Sequence, residues 1–190
     1  GGWTFLTGLG VSLAVWIAVS GVIQIVRRLK SGAPPASFWG MHLGHMGIAV
    51  FVFGVTLVGG FQEEQDVRME PGDTVTAGGY QFKMIGVRDV PGPNYSAAQG
   101  TFEVSQNGGP VQVLHPEKRT YFSSTMPMTE AAIDSGFTRD VYVSLGEPLE
   151  GKAWAVRVYF KPFVDWIWGG CVLMALGGFM AMLDRRYRIK

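Results

Sequence analysis

Three long apolar blocks frame a polar stretch of short alternations, and this contrast organises the chain. Trp3 to Val26 carries no charge, Gly40 to Phe61 has only His42 and His45 as ionisable groups, and Phe163 to Leu183 has only Asp165. Each block is close to the roughly 20 residues a helix needs to cross a bilayer. The pattern predicts transmembrane helices over 1–30, 39–61 and 163–184, with short connecting or terminal segments at 31–38 and 185–190.

Between the second and third blocks the period changes. Residues 62–162 are broken by Pro71-Gly72, Gly78-Gly79, Pro91-Gly92-Pro93, Asn107-Gly108-Gly109-Pro110 and Gly146-Glu147-Pro148, all turn signals. Tyr80 to Ile85, Thr101 to Val104, Asp140 to Val143 and Ala153 to Tyr159 alternate with period two, as half-buried strands do. Six to eight short strands are expected, forming an inserted all-β domain. The alternation alone does not choose between a small barrel and a sandwich. Thr129 is a cap candidate for one helical turn over Glu130 to Asp134.

Composition supports a membrane protein. Hydrophobic residues make up 47% of the 190, charged residues 16%, and mean hydropathy is +0.19. A net charge of +1 gives no basis for nucleic-acid binding. The first block has no basic segment before it, is long for the core of a signal peptide, and is followed by Arg27, Arg28 and Lys30. Together with an opening of Gly1-Gly2-Trp3, this reads as an internal helix of a longer protein. Cys171, the single cysteine, is expected to be a small packing residue.

Basic residues set the expected orientation. Arg27, Arg28 and Lys30 follow the first span, and Arg185, Arg186, Arg188 and Lys190 follow the third, so both clusters are expected on the cytoplasmic side. Segment 31–38 is then a cytoplasmic loop and 185–190 a cytoplasmic tail. The β-domain at 62–162 is then expected on the non-cytoplasmic side, which in a Gram-negative-type cell with the helices in its inner membrane is the periplasm. Trp166 and Trp168 suit an interfacial aromatic belt.

Ionisable residues inside a span usually turn inward and meet a partner. For a neutral imidazole that partner is a hydrogen-bond acceptor, a metal or a haem iron. His42 lies about 60° around the helix from His45, so the two share a broad face without easily ligating one iron from the same side. Gly40, Gly44 and Gly47 form a small-residue surface that permits close approach of a helix or a flat macrocycle. His42 is expected nearer the cytoplasmic surface, where water can reach it.

Weaker candidates lie in the β-domain. His115, before a proline, reads as an ordinary surface or hydrogen-bonded residue, while Glu117, Lys118 and Arg119 read first as a solvated loop face, and secondly as a contact for a partner subunit or a haem propionate. Met126 and Met128 are expected to pack. Asp165 is read as an interfacial residue or a partner for Lys161 or Arg157. No nucleophile or acid–base pair stands out, so the catalytic residues are unassigned.

Several motifs occur together in one order. They are Leu114 to Tyr121, Met126 to Asp134, Arg139 to Val143, Trp154 to Tyr159, Lys161-Pro162-Phe163 and Leu183 to Arg188. This series resembles the C-terminal part of the CcmF family, the large membrane subunit of the cytochrome c maturation haem lyase. The resemblance implies a subunit that receives haem from the chaperone CcmE and, with CcmH and CcmI, promotes its thioether attachment to apocytochrome c. It also implies a transmembrane haem b acting as reductant. Within Leu43-Gly44-His45-Met46-Gly47 it assigns His45 as an axial ligand to the haem iron. His42 becomes a residue supporting that ligand, or part of a proton or quinol route. The second transmembrane ligand and the periplasmic haem histidines belong to the N-terminal part of CcmF, so this segment alone is expected to be inactive. Two alternatives stand beside this reading: a non-catalytic scaffold docking maturation partners, and a cytochrome b-type electron-transfer subunit.

Overall fold

A computed structural model describes residues 2–124 and 126–184. The basic tail at 185–190, on which half of the orientation argument rests, lies outside the described residues. The chain divides into a helical unit, residues 1–61 and 162–190, and a β-unit, residues 62–161.

The helical unit contains α1 (Phe5–Leu29), α2 (Ala36–Phe61) and α3 (Val164–Met182), all long and apolar enough to cross a membrane. Thr4 caps α1 by accepting from the Thr7 N–H at 3.2 Å, and Arg27 and Arg28 complement the dipole at its other end. The chain turns at residues 30–35, where Pro34 and Pro35 favour extended backbone and delay the start of α2. Gly2 N–H donates to Gly60 O at 2.6 Å, so α1 and α2 run antiparallel side by side. α2 and α3 meet through glycines. A Cβ on Gly177 would lie 2.5 Å from Gly44 N, and one on Gly40 would lie 2.5 Å from Gly177 O. Lipid tails give no hydrophobic incentive for helix association, so close van der Waals contact of bare backbones carries this pair.

Among the described residues the β-unit has ten strands, more than the six to eight expected. They are β1 (Glu63–Met69), β2 (Thr74–Ala77), β3 (Tyr80–Pro91), β4 (Tyr95–Gln106), β5 (Gln112–Leu114), β6 (Glu117–Tyr121), β7 (Pro127–Glu130), β8 (Ala132–Gly136), β9 (Arg139–Pro148) and β10 (Trp154–Pro162). One sheet has the order β1-β10-β9-β8; the other runs β2-β3-β4-β6-β7, with β5 also pairing β4. Two sheets facing across a common core make a sandwich and settle the choice against a closed barrel. Alternate positions fill that core: Phe82 and Met84 from β3, Phe102 and Val104 from β4, Val141, Val143 and Leu145 from β9, and Val156 and Val158 from β10.

The expected helical turn at Glu130 to Asp134 is absent. β7 ends at Glu130, and β8 pairs antiparallel with β9 from Ala132↔Val143 to Gly136↔Arg139. Thr129 is itself a strand residue, and Lys118 Nζ donates to its hydroxyl at 3.2 Å. Ladder bonds to a neighbour already anchored in the core outweigh a weak local helical preference.

Candidate functional site

α2 presents two working faces. Gly40 and Gly47 point at α3, whereas a Cβ on Gly44 would meet nothing within 4 Å. His42 and His45 instead border a cleft of about 210 Å³ against α1, lined also by Trp16, Ile17, Ser20, Gly21, Gln24 and Met41. The small-residue surface that sequence reading offered to either a helix or a macrocycle is therefore taken by a helix.

His45 is exposed on its helix, and its Nδ1–H donates to the Met41 carbonyl at 2.8 Å. A carbonyl can only accept, so this bond places the proton on Nδ1 and leaves the lone pair on Nε2. Nε2 has no partner among the described residues. A neutral imidazole with one nitrogen anchored and the other presented outward is the donor chemistry a haem iron takes. His42 is 5% exposed rather than water-solvated. Its Nδ1–H donates to the Phe38 carbonyl at 2.9 Å, and its ring lies 4.1 Å from the Phe38 ring, centroid to centroid. His42 thus satisfies one nitrogen within α2 while lining the same cleft.

At about 210 Å³ the cleft is smaller than the ~300–1,000 Å³ typical of pockets that enclose a ligand. The cleft alone is too small to enclose a large planar group. The α1 contribution was not recognised from sequence, although Ser20 and Gln24 stand four residues apart in an uncharged span whose other hydroxyl residues, Thr4, Thr7 and Ser12, lie toward its start, a legible polar pair.

The other candidates are engaged elsewhere. Glu117 accepts from Arg119 Nε at 2.7 Å and from Gln99 at 2.7 Å. Arg119 and then Gln99 hold its carboxyl below the usual range. Arg119 also lies 4.6 Å over the Tyr95 ring and 3.7 Å from Glu130, while Lys118 reaches Glu147 at 2.8 Å. These charges form a paired network on the sheet, which differs from a solvated loop. His115 approaches the Thr101 hydroxyl at 3.4 Å. Met126 and Met128 do not pack; they are 74% and 55% exposed. Asp165 is exposed in the first turn of α3. Its expected partners are committed elsewhere, Arg157 to Asp66 and Glu64, and Lys161 over the rings of Tyr142 and Tyr159. Cys171 is a free thiol exposed on its helix rather than packed. Among the described residues, no group of three or more His, Cys, Asp or Glu side chains could hold a metal ion.

A family model described as the CcmF C-terminal beta-sandwich matches residues 60–162, more than half of the chain. The chain belongs to the CcmF family. Cytochrome c-type biogenesis protein CcmF of Pseudomonas aeruginosa is 49% identical over 185 residues, covering 94% of this chain and 28% of that protein. CcmF of Escherichia coli K12 is 46% identical over 184 residues, covering 96% and 28%. Cytochrome c-type biogenesis protein CycK of Rhizobium meliloti is 34% identical over 198 residues, covering 97% and 29%. The chain thus spans under a third of the length of these relatives. A solved structure of Cytochrome c Heme Lyase CcmF superposes with a TM-score of 0.81 over 97% of this chain and 31% of its own, at 16% identity, a likeness of fold.

Proposed function

We propose that this chain is the C-terminal part of a cytochrome c haem lyase subunit and that His45 supplies one axial ligand to a haem b held in the membrane. The observation that carries the reading is the Nδ1–H bond from His45 to Met41 O, which anchors the ring and turns Nε2 outward. When bound, the haem supplies one-electron chemistry, which would keep incoming haem reduced for thioether formation. The chain's own residues orient and exclude: Met41 O sets the tautomer, Trp16 and Ile17 shield one side of the cleft, and His42 braces the helix turn below. The second axial ligand and the haem-handling surface come from the remaining N-terminal part of CcmF. CcmE as haem donor, CcmH and CcmI as attachment partners, and apocytochrome c as acceptor complete the reading. Quinol is the proposed electron source. The positive-inside bias of Arg27, Arg28 and Lys30 supports a bacterial inner-membrane location with the sandwich in the periplasm.

The test is the oxidised and reduced visible spectrum of the complete gene product, purified with its partners, for wild type, His45→Ala and His42→Ala at matched protein levels. Loss of the low-spin haem b bands in His45→Ala, with retention in His42→Ala, is expected. Unchanged bands in His45→Ala would sink the ligand assignment. A second reading, a docking scaffold, draws on exposed Phe122 and Met126 in the connection between β6 and β7. It predicts normal spectra but loss of partner co-purification when those two residues become serine.

A further inference from the structure

The polar stripe on α1 does not stop at the histidine cleft. Ser20, Gln24 and Arg28 recur every four residues on one face, each step rising about 6 Å toward the basic end. Ser20 and Gln24 line the cleft with His42 and His45. Arg28 lines a second cleft of about 640 Å³ with Pro35, Ser37, Phe38 and Met41 and with Ala181 and Met182 of α3, and Met41 belongs to both clefts. The two clefts therefore adjoin at Met41, the second opening between all three helices.

Arg28 is the half-buried member of its cluster; Arg27 and Lys30 are exposed. No carboxylate among the described residues pairs with it. The acid placed at this end of the helical unit, Asp184, engages the Ser37 N–H at 2.8 Å. A partly desolvated guanidinium at the end of a polar track calls for an anion, and its planar fork matches a carboxylate. We propose that Arg28 holds a carboxylate side chain of the haem whose iron His45 ligates, with the Gln24 amide offering a hydrogen bond along the way, while Ser20 keeps its hydroxyl proton on the Ile17 carbonyl at 3.0 Å. This rests on the reading of His45 as the axial ligand. Haem's ionised peripheral groups are its two propionates. A macrocycle with its iron at His45 and its edge laid along the stripe directs them to Arg28.

The experiment strips haem from the complete gene product and titrates it with haem or with haem dimethyl ester, in which both carboxylates are neutral. Low-spin absorption is the readout. Wild type is expected to bind the ester roughly tenfold or more weakly than haem. In Arg28→Leu that ratio should fall to about one, because haem binding alone weakens, and Arg28→Lys should lie between. Equal affinity of wild type for acid and ester would overturn the proposal, and that comparison needs no variant to fold. So would full discrimination surviving in Arg28→Leu, which would leave Arg28 to a lipid phosphate. Low-spin bands persisting in His45→Ala would instead defeat the underlying haem reading, a separately visible result.

Discussion

Asp184, just beyond α3, accepts a hydrogen bond at 2.8 Å from the backbone N–H of Ser37 in the first turn of α2, across 147 positions of sequence. Pro35, immediately before α2, has no side chain able to cap it, so an acid from a distant segment supplies the acceptor. The negative charge also sits at the positive end of the helix dipole. Asp184→Ala should destabilise the helical unit by about 1 kcal/mol, and Asp184→Asn by less, since the amide oxygen still accepts. Thermal unfolding in detergent, followed by far-UV circular dichroism, checks the order.

Adjacent glycines on α3 should behave oppositely. A Cβ on Gly177 meets Gly44 N at 2.5 Å, whereas one on Gly178 meets nothing within 4 Å. Gly177→Ala is expected to cost about 1–3 kcal/mol by forcing α2 and α3 apart, with Gly178→Ala close to neutral. Folded yield and melting temperature of the two single variants read the difference. Equal behaviour would contradict the backbone-contact account of this helix pair.

In the sandwich, Phe102 is fully buried while Ile133 on β8 is 56% exposed. Phe102→Ala should lose about 3–5 kcal/mol, and Ile133→Ala within about 0.5 kcal/mol. Urea melts monitored by near-UV circular dichroism separate a core position from a surface one.

Acid should weaken the sandwich with a defined sign. Glu117 is held below the usual carboxylate range by Arg119 and then Gln99, and Asp66 by its hydrogen bond to Arg157. Folded pKa values below the unfolded ones mean that the unfolded chain binds protons first as pH drops. The stabilisation is therefore complete above the unfolded carboxylate pKa, about 4, and disappears as pH falls through the lowered folded values. Urea midpoints measured from pH 7 to pH 3 should fall in this window, and Glu117→Gln should flatten the fall. A midpoint that rises with acid would reverse the sign and refute the assignment.

Reading the chain was most effective where one period ran unopposed. The apolar blocks lack charge over a bilayer's width, and a helix is what satisfies every backbone group there without water, so their existence needed no tertiary information. Alternation similarly announced Asp140 to Val143 and Ala153 to Tyr159 as strands, because a pleated chain buries every second residue. It failed at Glu130 to Asp134, where the deciding interaction was a ladder to β9, invisible in a local window. The expectation that Met126 and Met128 pack failed too, since burial depends on whether another element arrives to cover a side chain, and none among the described residues does.

By itself, the sequence determined the three helices, an all-β insertion and two histidines in the second helix, since those follow from local periodicity and the cost of polar groups in lipid. The tertiary structure decided the rest. It chose a sandwich over a barrel, since only non-local pairing distinguishes them. It gave the glycine face of α2 to α3 and thereby turned His45 toward Ser20 and Gln24 of α1. Which face of a helix meets which neighbour is a question of packing between distant segments, and no local period encodes it.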